Sequence, residues 1–296
     1  MAAPTRFSGV PLARSPFCDL DLTGELRLRI GRRNARDIAT AQYHQGALRV
    51  LRPHYLDETA QVCYTIVNPG GGYLGADRYG IEVDVEAGSS LLLTTQSATK
   101  VYRTPQGPAH QQMLVRLGPQ AVLEYLPDQL IAYREARYRQ DTVVDMAADA
   151  SLVLCEVLTP GWSPDGKLFR YDQLRLRTEV RVEGKLAVVD NLRAEPSEQD
   201  VDSLLYLQDS THVGMLLAVD ARIDRELVEQ LRILAETIAQ RQRVMVHVGL
   251  SLSLGPGMAV RTLSTSTEAT NAVLYGLVDE LRSRFRGQNQ VNLRKY

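Results

Sequence analysis

The stretch from Asn68 to Arg103 constrains the fold of this 296-residue chain more than any other part. It reads NPGGGYLGADRYGIEVDVEAGSSLLLTTQSATKVYR. Pro69 and the three glycines after it predict a tight turn, because proline fixes its own φ and glycine enters φ > 0 without steric cost. Between Ile81 and Glu86, apolar residues alternate with acidic ones, which is the period of a strand with one buried face. A glycine turn followed by a half-buried strand is therefore predicted.

A second strand is predicted to start at Leu91 and to run into uncharged polar side chains. These are Thr94, Thr95, Gln96 and Ser97. A strand that starts with three leucines and continues in this way indicates either an internal polar surface or a hydroxyl-rich exposed face. The sequence leaves both interpretations open.

Three segments of the chain carry a family resemblance: NPGGGYLGADRY, LTTQSATKVYRT and LEYLPDQLIAYREARYRQ. Together they closely resemble the UreD family, also called UreH, the urease accessory proteins that assist nickel insertion into urease. The resemblance runs from about Ala47 to about Asn191, and more loosely to the C-terminus. One position departs from the family pattern, because Ala76 stands where a second glycine is expected, which leaves Gly75 for the turn.

Composition and charge indicate a globular protein with no special affinity for polyanions. Apolar residues make up 44% of the chain and charged residues 23%, and the formal net charge is −1. This balance gives no electrostatic reason to expect binding to nucleic acid or to an anionic membrane. The three cysteines are few and widely spaced, which favours reduced thiols. With neither a secretory signal nor an apolar stretch of membrane-spanning length, the expected location is the cytoplasm.

Short strand candidates recur along the first two thirds of the chain, and none of the intervening segments has the spacing of a convincing helix. This spacing predicts a mainly β fold, an antiparallel multi-strand β body rather than alternating βαβ units. The candidates are Glu25–Ile30, Ala47–Leu51, Ala60–Val67, Met113–Leu117, Ala121–Leu126, Thr142–Met146, Ser151–Leu158, Leu174–Val182 and Lys185–Val189.

The last third of the chain predicts a small α/β part with two helices, over about residues 204–290. Asp220 or Asp224 is available to cap the first helix, whose apolar residues recur at helical spacing. We expect this part to cap one end of the β body. Its predicted elements are a helix over Ile223–Ile238, strands over Val244–Leu254 and Met258–Leu263, and a helix from a cap at Thr267 to Gly287.

Residues 1–296 are expected to form one domain, because no Ser/Gly-rich linker interrupts the chain. Residues 1–20 read as a flexible lead-in and residues 288–296 as a loose tail. The polar stretch Glu195–Ser203 is the one candidate boundary.

Catalytic motifs do not emerge from the sequence. The glycine run lacks both the G-x-x-x-x-G-K-[ST] pattern and a G-x-G-x-x-G that opens a helix, so no nucleotide site is predicted. No G-x-S-x-G elbow is present, the five histidines are scattered, and Cys63 and Cys155 lie in apolar strand patterns typical of packed thiols. The chain is therefore predicted to be non-catalytic.

Three carboxylates stand in or beside apolar strand sequence: Glu124, Asp128 and Glu156. A carboxylate in such surroundings must be paired, protonated or bound to a cation. Pairing with an arginine such as Arg134 or Arg137 is one interpretation. The other is a hydrated cation that oxygen ligands hold weakly, as suits transit better than storage. No His or Cys pair has the spacing of a tight transition-metal site.

The segment PDQLIAYREARYRQ combines aromatic and arginine side chains, the types favoured at protein interfaces. The candidate partner-binding residues are Tyr133, Arg134, Arg137 and Tyr138. The same residues also suit cross-strand pairs on an exposed face, and the pattern alone does not separate the two.

The resemblance implies a non-catalytic, mostly β maturation factor that binds UreF and, through it, the GTPase UreG. The assembly then docks on the urease apoprotein and nickel is inserted there. It also implies that the protein has no tightly bound cofactor and that nickel passes through an internal polar tunnel. A dimer through a UreF-containing complex is compatible with the resemblance. Within this frame, the run Thr94–Ser97 and the carboxylates Glu124, Asp128 and Glu156 are the predicted tunnel lining.

Two alternatives remain open. One is a β-rich scaffold that only stabilises a conformation of apo-urease and never contacts nickel, for which no continuous polar channel is expected. The other is a small-molecule hydrolase, which requires a nucleophile and a base that converge in a pocket.

Overall fold

Two β-sheets packed face to face make up most of the molecule, and two helices cover the outer face of one of them. The structure is a computed structural model that describes residues 14–198, 207 and 209–293. Its elements in chain order are β1 (Gly24–Arg33), β2 (Arg36–Gly46), β3 (Arg49–Val50), β4 (Val62–Val67), β5 (Arg78–Val85), β6 (Ser90–Thr95), β7 (Thr99–Val101), β8 (Ala109–Leu117), β9 (Val122–Leu126), β10 (Leu130–Ala132), β11 (Arg137–Met146), β12 (Ser151–Leu158), β13 (Gln173–Val182), β14 (Lys185–Ala194), β15 (His212–Val219), α1 (Arg225–Gln240), β16 (Val246–Leu252), β17 (Met258–Ser264) and α2 (Thr267–Arg286).

The first sheet has seven strands in the order β14-β13-β11-β8-β5-β1-β2, and the second has ten, with β16-β17-β15-β12-β9-β6-β4-β3 as its main path. Residues at alternate positions of both sheets, such as Val83 and Val115 in the first and Leu93 and Leu123 in the second, fill a common core between them. A mainly β chain with two helices is confirmed.

The prediction of an antiparallel body is only partly correct, because both sheets are mixed. Neighbours from β1 through β5, β8 and β11 to β13 run parallel, as do β4, β6, β9 and β12. Antiparallel pairs are confined to the two sides of each sheet. The physical reason is that successive strands cross from one sheet to the other, so sheet neighbours are separated by a full coil of chain, as in a solenoid.

These crossings give the body two unlike ends. Short turns return the chain from the first sheet to the second at one end, through residues 86–89, 118–121 and 147–150. Longer connections cross from the second sheet to the first at the opposite end, which we call the long-loop end. Its loops are residues 68–77, 96–108, 127–136 and 159–172.

All nine strand candidates overlap observed strands, whereas β2, β10 and β15 were not predicted. The strand predicted from Leu91 onward ends at Thr95, and the chain re-enters the second sheet as β7. Both predicted helices are present. Asp224 caps α1 by accepting the Leu227 N–H at 2.8 Å, and α2 is capped by Ser266 rather than Thr267.

The C-terminal part does not cap one end of the body. Instead, β15, β17 and β16 extend the second sheet, and α1 and α2 pack over its outer face. A separate apolar core forms there, in which Leu92 and Val153 of the sheet meet Leu231 and Leu277 of the helices. Neither of these helices has the length and apolar character needed to cross a lipid bilayer.

Parts of the expected lead-in and tail are packed. Phe17 is buried and lies so close to Gly80 that a Cβ at residue 80 would come within 2.7 Å of its ring. Val291 donates its backbone N–H to Asp279 at 2.7 Å, and Gln288 is buried. The rest of the lead-in before residue 14, of the tail after residue 293 and of the candidate boundary after Glu198 lies outside the described residues.

The glycine-rich turn is built much as expected, with one correction. Asn68 accepts the Gly70 N–H at 2.9 Å, and Gly71 has φ +79°. Ala76, not Gly75, is in the left-handed region, with φ +63°. Gly75 is needed for close approach, because a Cβ there would come within 3.1 Å of the Thr104 Cα.

Replacing Ala76 by glycine should therefore stabilise the protein. A non-glycine residue in the left-handed region is strained by about 1–2 kcal/mol, and glycine's greater unfolded-state entropy offsets part of the gain. We expect Ala76→Gly to raise the free energy of unfolding by roughly 0.5–1 kcal/mol in urea titrations. Ala87→Gly is the matched control on an exposed turn with φ outside that region. If both variants lose stability alike, the assignment of strain to Ala76 fails.

Candidate functional site

A row of hydrogen-bonded polar side chains crosses the core between the two sheets. Tyr73 donates its hydroxyl to Gln111 at 2.6 Å, and Gln111 lies 3.5 Å from the Gln140 amide oxygen, which also accepts from Tyr138 at 3.0 Å. Gln140 in turn donates to the carboxyl group of Glu156. We call Tyr73, Gln111, Tyr138, Gln140 and Glu156 the internal polar row. Each member satisfies its neighbour, which is what allows so much polarity inside an apolar core.

Glu156, at one end of the internal polar row, has a carboxyl group whose pKa lies near neutral pH. Burial raises the pKa of its carboxyl group to about 7, and the nearby Asp190 adds to the rise, whereas Gln140 and Arg261 oppose it. Near pH 7 the carboxyl group is thus present in both forms.

Small cavities lie along the internal polar row, and adjacent ones share lining residues. A cavity of about 50 Å³ lies near the long-loop end, and it shares Thr99 with the next, of about 20 Å³. That cavity shares Tyr125 and Glu156 with a third, also of about 20 Å³. The third shares Arg261 with an apolar cavity of about 320 Å³ beside the edge of the first sheet. Each of the two smallest has room for about one water molecule.

The structure brings two of the three predicted carboxylates together and separates the third. Asp128 and Glu156 line the same small cavity, and the Asp128 N–H donates to the Thr95 hydroxyl at 2.9 Å. Glu124 instead shares the outer face of the second sheet with Val153, its partner on β12. Within residues 14–198, 207 and 209–293, no three His, Cys, Asp or Glu side chains converge to hold a metal ion together.

Glu124 belongs to a buried ion cluster with Asp57, Arg282 and Arg286. Its two carboxylate oxygens each accept from one arginine, and Gln61 donates to it at 3.1 Å. Arg282 also reaches Asp57 at 3.3 Å, and the residues Glu124 and Arg282 are both 0% exposed. Burial lowers the pKa of Arg286, although Glu124 opposes the shift. The cluster therefore joins the end of α2 to β9. Glu124 is paired with arginines, but these are Arg282 and Arg286 and not Arg134 or Arg137.

The predicted polar run divides between two surroundings. Thr94 is buried and donates its hydroxyl to the Leu126 carbonyl oxygen. Thr95, Gln96 and Ser97 line the cavity of about 50 Å³, together with the glycine-rich turn, and Gln96 and Ser97 are exposed at the surface.

Two aromatic side chains that the sequence did not point to lie beside Tyr133 at the long-loop end. Its ring lies 4.8 Å from that of Tyr102 and 5.1 Å from that of Trp162, centroid to centroid. Trp162 is 52% exposed. We call these three residues the aromatic ladder. They come from three different loops, so no local pattern could have joined them.

The other predicted partner-binding residues are placed differently. Arg134 lies beside the aromatic ladder and is within 3.5 Å of the Glu135 carboxylate. Arg137 is half-buried and donates to the Thr104 carbonyl oxygen at 3.0 Å. Tyr138 is 0% exposed and belongs to the internal polar row rather than to the surface.

Comparison with known proteins decides the family. The family model described as UreD urease accessory protein matches residues 22–295. A protein from Arthrobacter sp. (strain FB24), called urease accessory protein UreD, is 50% identical over 279 residues, which cover 92% of this chain and 94% of the relative. A protein of the same name from Actinomyces naeslundii is 49% identical, over 94% of this chain and 100% of the relative. The chain belongs to the UreD family of urease accessory proteins.

Family membership confirms the resemblance seen in the sequence. It assigns the chain a role in urease maturation, and the prediction that it is non-catalytic is confirmed because urease accessory proteins are maturation factors.

Removing the charge of Glu124 should destabilise the protein strongly. Glu124→Gln leaves two arginines, one of them fully buried, without their shared carboxylate, which costs roughly 3–5 kcal/mol. Urea unfolding measures this loss. Glu229→Gln is the control, because Glu229 pairs with Arg232 on an exposed helix face and its loss should cost less than about 1 kcal/mol. Equal effects of the two changes would show that the cluster does not hold α2 in place.

Proposed function

We propose that this protein assists nickel insertion into urease by binding the apoprotein together with UreF and UreG. Family membership is the support for these partners, since the relatives are called urease accessory proteins. The protein holds no cofactor of its own in this proposal. Nickel is its cargo, and a dimer forms through the UreF-containing complex.

The observation that carries the nickel route is the internal polar row with its series of cavities. A divalent cation that leaves water loses solvation worth many kcal/mol, so a path through a protein must offer oxygen donors at close intervals. One cavity of about 20 Å³ is lined by the amide and carboxylate groups of Gln111, Gln140, Asp128 and Glu156, and Glu156 also lines the next cavity. Such hard ligands hold the ion weakly, which favours its passage over its storage.

The pKa of Glu156 fits this role. Because its carboxyl group titrates near pH 7, its proton can be exchanged for a cation at small cost, and the proton's return favours release. The rival scaffold hypothesis gives the internal polar row no part to play. The two hypotheses therefore differ in what happens when the row is made apolar without disturbing the complex.

We further infer that the aromatic ladder is part of the UreF-binding surface. Trp and Tyr are enriched among residues that dominate binding energy at interfaces, and Arg134 lies beside them. The ladder is next to the cavity at the long-loop end, because Tyr102 packs against Gly72, which lines that cavity. A partner bound there would face one end of the proposed route.

Making one position of the row apolar should block delivery without breaking the complex. Gln111→Leu keeps the side-chain size at a buried position, and Gln112→Leu is the matched control on the opposite, outer face of β8. Both variants are co-expressed with UreF, UreG and apo-urease in cells that lack this protein. We expect Gln111→Leu to lower nickel-dependent urease activity at least tenfold, since removing an oxygen donor from the path costs on the order of several kcal/mol.

In this experiment the complex is recovered from the same cells. Full urease activity with Gln111→Leu would reject the nickel route and favour the scaffold. Loss of activity together with loss of the complex would show instead that Gln111 acts through the fold.

Truncation of the aromatic ladder should weaken binding to UreF. We expect Trp162→Ala to raise the Kd for purified UreF by about tenfold or more, as for an interface anchor. Met245→Ala serves as the control, because Met245 is a large exposed apolar side chain outside the ladder. Biolayer interferometry gives both constants. An unchanged Kd for Trp162→Ala would remove the ladder from the UreF surface.

A further inference from the structure

Five basic residues form a straight row across the outer face of the first sheet. Arg78 on β5 lies opposite His110 on β8, which lies opposite Arg139 on β11. Arg139 is paired with Arg175 on β13, and Arg175 with Arg193 on β14. Four arginines and one histidine thus occupy directly opposite positions on five adjacent strands. We call this set the basic row.

The basic row is only partly neutralised within the protein. His110 lies 2.7 Å from Asp141, and Arg193 bonds to Glu195. Arg78, Arg139 and Arg175 form no ion pair with any residue that the structure describes. Like charges at directly opposite positions of a sheet destabilise it. The arrangement therefore destabilises the isolated protein, and an external anionic group would relieve the repulsion between the arginines.

The surroundings of the basic row are open. The helices pack on the second sheet. On the outer face of the first sheet, Phe17 of the lead-in packs against Gly80 of β5, beyond the basic row. Arg78, Arg139 and Arg193 are exposed, and Arg175 is half-buried between its neighbours. The row crosses the strands where β5, β8, β11 and β13 begin, so it borders the long-loop end that carries the aromatic ladder.

We propose that the basic row binds an acidic helix of a partner protein in urease maturation. Strands lie about 4.8 Å apart, so five positions span roughly 19 Å. On a helix, residues three or four apart are about 5–6 Å from one another, so acidic residues repeated over three turns match this spacing. An extended strand presents like side chains about 6.8 Å apart and fits less well.

Charge complementarity selects a protein rather than a nucleic acid. The next row along the same strands holds Asp141 opposite Arg177, and further along Glu179 and Asp145 stand among Arg116 and Arg181. A duplex that tracked over the sheet would meet carboxylates as well as arginines there, whereas a single helix can lie on the basic row alone. The formal net charge of −1 agrees with this choice.

The inference rests on the proposed function, because the partner is sought among urease apoprotein, UreF and UreG. Arg175→Glu is the decisive variant, since it places a carboxylate between two arginines. It should stabilise the isolated protein by relieving repulsion, and it should weaken binding to one of these partners. A merely structural role would not move stability and binding in opposite directions.

The test measures the Kd of each purified partner across a range of salt concentrations, for wild type, Arg175→Glu and Arg181→Glu. Arg181 is on the same strand and face, beyond the basic row, and gives the same change of charge. It is the control for binding only, because it bonds to Glu179 and its change to Glu should lower stability. For one partner we expect Arg175→Glu to raise the Kd at least tenfold and to flatten its salt dependence, with less than a twofold change for Arg181→Glu.

Two results would overturn the inference and leave the proposed function standing. One is that Arg175→Glu binds all three partners as wild type does. The other is that wild type binds a 20-base-pair DNA duplex and only this binding is lost in Arg175→Glu. Failure of wild type to bind any of the three partners would overturn both the proposed function and this inference.

Discussion

The constraint on which this structure depends is that each coil of chain supplies one strand to each of two facing sheets. The inner apolar face of each sheet is covered by the other sheet, so the core between them needs both. This arrangement makes sheet neighbours parallel, and it gathers every long connection at one end. The exposed aromatic rings, the glycine-rich turn and the start of the basic row are together because of it.

The second sheet separates two buried polar systems of different character. On its inner face, the internal polar row is made of uncharged groups and ends at Glu156, whose pKa of about 7 lets it change charge at small cost. On its outer face, Glu124 is bound by two arginines and fastens α2 to the sheet. A group held by two opposite charges is suited to stability, whereas a group near its titration point is suited to exchange.

The local sequence pattern was sufficient to locate most strands but not to identify the strands with which they pair. Patterns of apolar and polar residues located most of the strands, because a half-buried strand has the same period wherever it pairs. The turn signals between strands are the same whether the next strand returns beside the previous one or crosses to the other sheet. Parallel pairing therefore could not be read from spacing, and β2 was missed because its alternation is weak on a half-exposed sheet side.

The candidate site shows the same division. The sequence by itself determined the mainly β composition, the two helices and the family. It also singled out Glu124, Asp128 and Glu156, because apolar neighbours make a carboxylate conspicuous. Only the tertiary structure decided that Asp128 and Glu156 share a cavity while Glu124 lies across the sheet with Arg282. The physical reason is that the stacking of the coils decides which side of a sheet a residue faces. It also decides which distant loops meet, such as the loop that carries Trp162. Stacking depends on contacts between residues far apart in the chain.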